Sequence, residues 1–125
     1  MAGELILVVD DDPLNLRLAR AVLVNAGYTV DTAADGESMF ARLEAARPRL
    51  VLTDLMLPGI DGFQLAAMLK HDPRYSDIPV IACTASGILN DEARARAAGC
   101  DDYLQKPFEL DQLIATVARL LRNAG

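Results

Sequence analysis

The 125-residue chain reads as an α/β domain: a parallel five-stranded sheet, doubly wound, with helices on both faces. Three observations lead there. Short apolar runs alternate five times with helical patterns. The runs Leu5–Val9, Leu50–Thr53 and Val80–Cys83 are almost continuously apolar, as strands covered on both faces must be. Each helix between two such runs is long enough for the right-handed crossover that parallel neighbours need.

In chain order, the first strand is Leu5–Val9, and Asp10, Asp11 and Asp12 follow it directly. Asp12 is read as the N-cap of a first helix that begins at Pro13, a residue suited to the first helical position. That helix places Leu14, Leu18, Ala21 and Val22 on one face and ends near Gly27. The second strand, Thr29–Ala33, alternates as an edge strand does, and the helix after Asp35 uses Met39 and Leu43. The third strand, Leu50–Thr53, leads to Asp54 and a Pro-Gly turn. A third helix follows Gly62, turns Leu65, Met68 and Leu69 inward and stops before Pro73. Asp61 is expected to cap it, and Gly62 to supply backbone freedom beside the turn. After Val80–Cys83 comes a fourth helix, Asp91–Ala98, whose inward face is mainly Ala93 and Ala97. The fifth strand is Asp102–Leu104, and the last helix carries the stripe Leu110, Leu113, Ile114, Val117, Leu120 and Leu121.

The length suits one domain, 1–125, and no output domain is expected. A net charge of −6 argues against a nucleic-acid surface, so no nucleic-acid partner is expected. No stretch reaches the roughly 18 apolar residues of a membrane span, and no signal pattern opens the chain; the expectation is a cytoplasmic protein without a membrane partner. Cys83 and Cys100 have no metal-ligand spacing and read as small core residues rather than a disulfide.

In a sheet of this kind the site lies beyond the carboxyl ends of the strands, at a topological switch point. Those ends deliver Asp10 and Asp11, Asp54, Thr84, and Lys106 followed by Pro107. Adjacent carboxylates repel unless solvent or a cation screens them, and oxygen-only ligands suit a hard cation such as Mg²⁺. An aspartate is also a nucleophile toward phosphorus, and phosphoryl transfer asks for positioning and positive charge more than covalent help. Asp10, Asp11, Asp54 and a carbonyl just after Asp54 would hold Mg²⁺, with Lys106 as a second positive charge. Thr84 would donate to a phosphoryl oxygen, and the small Ala85 leaves room for it.

The segments Ile6–Pro13 (Ile-Leu-Val-Val-Asp-Asp-Asp-Pro), Asp54–Gly62, Thr84-Ala85 and Tyr103–Phe108 resemble the receiver domain of two-component response regulators. The resemblance covers essentially the whole chain, in order and spacing. It implies a flavodoxin-like (βα)5 sandwich with strand order 2-1-3-4-5. It implies Asp54 as phosphoacceptor, with Asp11, Asp54 and the Met56 carbonyl ligating Mg²⁺ directly and Asp10 acting mainly through water. Mn²⁺ would substitute. Lys106 would pair with the acidic site and then with the phosphoryl group, its bond to Pro107 being cis. Thr84 and Tyr103 would form the switch pair, and the signal would move the fourth helix, fifth strand and last helix. The alanine-rich fourth helix, with Gly87 ahead of it, is expected to be the most mobile cover of the sheet.

The implied partners are a sensor histidine kinase or histidine phosphotransfer protein and a downstream protein target. The protein would be a monomer or a phosphorylation-dependent homodimer, and would promote its own modification rather than turn over a substrate. Met56 and Ser86 stand at positions that influence attack by water in the family, and slow to moderate self-dephosphorylation is expected. His71, the one histidine, lies in a polar segment and reads as solvated rather than as a phosphodonor. An aspartate-nucleophile phosphatase of the haloacid-dehalogenase type would need an acid at position 56, where Met stands. A flavin binder would need a Ser/Thr/Gly-rich loop where three aspartates stand, and a phosphate-independent receiver would not need Asp54, Thr84 and Lys106 together.

Overall fold

The five apolar runs are five parallel strands because each is followed by a helix that carries the chain back across the sheet. The computed structural model describes residues 3–57, 59–84, 91–106 and 109–124. The elements are β1 (Leu5–Val9), α1 (Pro13–Asn25), β2 (Thr29–Ala33), α2 (Gly36–Ala45) and β3 (Leu50–Asp54), then α3 (Gly62–His71), β4 (Val80–Thr84), α4 (Asp91–Ala97), β5 (Asp102–Gln105) and α5 (Leu110–Ala124). The sheet order is β2-β1-β3-β4-β5, as expected, with β2 at one edge. Winding reverses at β1, so the crevice beyond β1 and β3 is the switch point. The register Val9↔Thr53 leaves Asp10 and Asp54 as the next residues of neighbouring strands.

Side chains alternate across the sheet, so each strand feeds two cores. Leu7, Val9, Val51, Val80 and Ala82 pack with Met39 and Leu43 of α2, Leu65, Ala66 and Leu69 of α3, and Ala95 of α4. Ile6, Val8, Leu50, Leu52, Ile81, Cys83 and Leu104 pack with Leu23 of α1 and with Leu113, Val117, Leu120 and Leu121 of α5. Aspartates cap α1, α2 and α3: Asp12 accepts from Leu14 N, Asp35 from Ser38 N, and Asp61 forms a reciprocal capping box with Gln64. These caps begin α1, α2 and α3 immediately after the loops that carry the strand-end residues.

Four inward faces differ, wholly or at one residue, from the sequence reading. In α1, Leu14 and Leu18 are more than half exposed, while Leu23 is buried with Leu16, Ala19 and Val22 packed beside it. The α1 sequence holds two apolar stripes, and docking on the sheet selects the second. In α3, Met68 is exposed and Ala66 is buried with Leu65 and Leu69 in the core on that side of the sheet. In α4, Ala95 is the buried residue and Ala93 and Ala97 are exposed, with Ala98 half-buried just beyond the helix. Alanines at 93, 95, 97 and 98 define no stripe, so local pattern alone leaves the choice open. In α5, Leu113, Val117, Leu120 and Leu121 are buried as expected and Ile114 half-buried, but Leu110 overhangs the strand ends and is exposed.

Candidate functional site

Asp10 is buried although charged. Its amide continues the β1–β2 ladder by donating to Ala33 O at 3.0 Å. One carboxylate oxygen accepts Asp12 N at 2.9 Å, and the other accepts Lys106 Nζ at 3.1 Å. Asp54 is the last residue of β3; its Oδ1 accepts Met56 N at 2.8 Å and its Oδ2 accepts Lys106 Nζ at 2.9 Å. Lys106 follows β5, and its amide donates to Thr84 O at 2.7 Å, which fixes its backbone against the end of β4.

One ammonium thus bridges carboxylates from two strands, with side chains 8% (Asp10), 11% (Asp54) and 22% (Lys106) exposed. Burial works against the lysine charge, but the hydrogen bonds and attraction from Asp54, then Asp10, outweigh it and hold the Lys106 pKa above its ordinary value. Asp11 stands exposed beside this triad. With Asp10, Asp11 and Asp54 ionised, Lys106 leaves the strand ends net negative, an environment that favours a further cation.

Among the described residues, no three carboxylate, thiol or imidazole side chains converge closely enough to enclose a metal ion by themselves. Mg²⁺ does not require that: one or two carboxylates, water and substrate oxygens satisfy it. The two converging carboxylates and the oxygen-only character of the strand ends fit that demand.

Of the other expected site residues, Thr84 is fully buried as the last residue of β4. Tyr103 on β5 is half-buried and packs against the core on the α3 side of the sheet. Met56 exposes its side chain while its amide binds Asp54. Ala85, Ser86, Gly87, Pro107 and Phe108, and with them the cis bond, lie outside the described residues. A cleft of about 330 Å³ between α1 and α5 opens beside the triad; Asn15, Leu18, Ala19, Val22, Leu110 and Leu113 line its walls. Cys83 lies on its floor, where burial raises the thiol well above the ordinary range; burial also pushes the Cys100 thiol up to about 11. Neither is paired, and both are buried. Such thiols are poor nucleophiles.

Asn15, on the cleft wall, and Thr53, whose Oγ1 donates to the Asp54 carbonyl at 3.0 Å, were not among the expected site residues. Asn15 was marked only as a polar residue within an apolar helical stretch, Thr53 as a lone hydroxyl in an apolar run.

Residues 6–118 match the response regulator receiver domain family. The chain is 43% identical over 118 residues to the DNA-binding dual master transcriptional regulator RpaA of Synechocystis, covering 94% of this chain and 49% of that protein. The chain spans about half the length of the curated relatives it matches. The expectation of no nucleic-acid partner therefore finds no support in these relatives. A solved structure of a response regulator from Chloroflexus aurantiacus superposes with a TM-score of 0.92 at 34% identity, covering 96% of this chain and 98% of that one. The receiver domain of a sensor histidine kinase from Pseudomonas aeruginosa, with magnesium coordinated in its active-site cleft, superposes with a TM-score of 0.87 at 33% identity. It covers 96% of this chain and 98% of that one. Fold, strand-end triad and sequence match agree, and the chain belongs to the response regulator receiver domain family.

Proposed function

We propose that the domain is a phosphoacceptor switch in which Asp54 takes a phosphoryl group from a phosphohistidine on a histidine kinase or a histidine phosphotransfer protein. The observation that carries this reading is Lys106 Nζ set between Asp10 and Asp54 at the switch point of the sheet. An Asp54 oxygen attacks phosphorus, the phosphorus–nitrogen bond breaks, and the imidazole leaves with its electron pair. Asp11, Asp54 and the Met56 carbonyl would hold Mg²⁺, with Asp10 acting through water; Mn²⁺ would serve in its place. When bound, the cation supplies positive charge against the transferring oxygens. Lys106 follows the charge: its ammonium already binds the acceptor and stays with the new phosphoryl group. The Met56 amide orients the Asp54 carboxylate.

The added dianion rebalances the strand ends. Thr84 would turn its hydroxyl to a phosphoryl oxygen and Tyr103 would follow inward, shifting the surface of α4, β5 and α5 toward a downstream protein target or a second copy. The domain promotes its own phosphorylation and dephosphorylation and turns over no separate substrate. The apolar Met56 beside the acceptor favours a slow to moderate loss of the group.

Intact mass after incubation with phosphoramidate, with and without Mg²⁺, tests the reading. One Mg²⁺-dependent phosphoryl group on the parent and none on Asp54→Asn is the expected result. An adduct that survives in Asp54→Asn, or none in the parent, refutes it. Loss of the group within seconds at neutral pH refutes the lifetime.

A further inference from the structure

Gly62 is the first residue of α3, and its requirement there is space rather than backbone freedom. Among the described residues the glycines in the left-handed region are Gly3, Gly27, Gly59 and Gly99, and Gly62 is not one of them. A Cβ at Gly62 would stand 2.5 Å from the Asp54 carbonyl oxygen and 2.6 Å from Leu55 Cα. Both are backbone atoms, so no side chain can rotate away. The Gly62 amide donates to Leu55 O at 3.1 Å, which holds the α3 N-terminus against this same stretch. On the same face of the sheet as α3, between Val51 and Leu55, buried Thr53 Oγ1 donates to the Asp54 carbonyl at 3.0 Å.

We propose that Gly62 and Thr53 are positioning residues that clamp the Asp54 main chain, and through it aim the Asp54 carboxylate at Lys106 and the Met56 amide. The inference rests on the reading of Asp54 as phosphoacceptor only for its effect on rate. Neither body can yield freely. The end of β3 is held by Leu55 N to Cys83 O at 2.8 Å. The start of α3 is held by the Asp61–Gln64 capping box and by buried Leu65, Ala66 and Leu69. Relieving a 2.5 Å contact requires a shift of about 1 Å, the scale at which displaced reacting groups lose about a hundredfold in rate.

Gly36 supplies the control, because a Cβ there would press α3 only through the flexible Leu65 Cδ2, at 2.8 Å. The experiment compares the parent with Gly62→Ala, Thr53→Val and Gly36→Ala. It reads phosphorylation rate at saturating phosphoramidate and Mg²⁺, melting temperature, and the amide resonance of Met56 in ¹H–¹⁵N spectra. The expected result is a rate loss of at least about tenfold in Gly62→Ala, a smaller loss in Thr53→Val, and a displaced Met56 amide in both. Gly36→Ala keeps the parental rate and Met56 resonance whatever its melting temperature. Parental rates and resonances in Gly62→Ala and Thr53→Val overturn the proposal. So does a Gly36→Ala slowed in proportion to its loss of stability. If Gly62→Ala fails to fold, Thr53→Val alone decides by the same two readouts. If the parent takes no phosphoryl group, the phosphoacceptor reading fails and the Met56 resonance still judges the clamp.

Discussion

Replacing Lys106 by Met keeps most of the side chain's apolar volume and removes the charge between Asp10 and Asp54. Both carboxylate oxygens lie within 3.1 Å of Nζ, so they stand at most about 6 Å apart, where two like charges repel by about 3 kcal/mol at an effective dielectric constant near 20. The variant also loses two charge-assisted hydrogen bonds, offset by no longer burying an ammonium. Breaking a fully buried pair costs about 3–5 kcal/mol; Lys106 is about one-fifth exposed, which lowers the expectation to about 2–4 kcal/mol at pH 7. For a domain of this size that is a fall of about 8–15 °C in melting temperature. Urea unfolding without divalent cation measures it. Mg²⁺ should then stabilise the variant more than the parent, since a cation answers the same repulsion.

The pH dependence follows from the raised Lys106 pKa. The pairing contributes fully below the unfolded value of about 10.4 and is lost as pH rises through the higher folded value. The gap between parent and variant therefore stays constant through neutral pH and closes in the alkaline range. A gap under about 0.5 kcal/mol at pH 7, the size of an exposed ion pair, would refute the reasoning.

Three further outcomes are expected. Leu69→Ala, at a fully buried position, lowers stability by about 2–5 kcal/mol in urea unfolding, whereas Leu18→Ala, more than half exposed, stays within about 0.5 kcal/mol. Cys83 and Cys100 resist iodoacetamide at pH 8 in the folded protein and react in urea, because burial raises both thiols; mass spectrometry reads the label. Amides of Arg94–Ala97 exchange with solvent at least about tenfold faster than those of Val117–Leu121. The physical reason is that, among the described residues of α4, Ala95 alone is buried, and the helix leans on α3 through Arg94 over the Phe63 ring at 4.2 Å, whereas α5 buries a full stripe.

Much of this molecule is readable locally. Continuous apolar runs mark β1, β3 and β4 because both faces are covered, and the aspartates at 12, 35 and 61 mark helix starts because a short acceptor side chain satisfies amides that a helix leaves open. The strand-end residues Asp10, Asp54, Thr84 and Lys106 were legible because a parallel sheet delivers such positions to one edge. Helix faces were less so: α1 and α4 carry more apolar residues than one face needs, and the partner surface chooses between Leu14 and Leu16, or Ala93 and Ala95. The role of Gly62 was hidden for a related reason. A missing Cβ reads the same whether it frees a dihedral or admits a neighbouring chain. The sequence alone therefore determined the elements, their order and which residues stand at the strand ends, since these depend on short-range pattern and composition. Only the tertiary structure decided which faces turn inward, which carboxylate oxygens meet Lys106, and that α3 presses on the Asp54 main chain, because those are contacts between segments far apart in the chain.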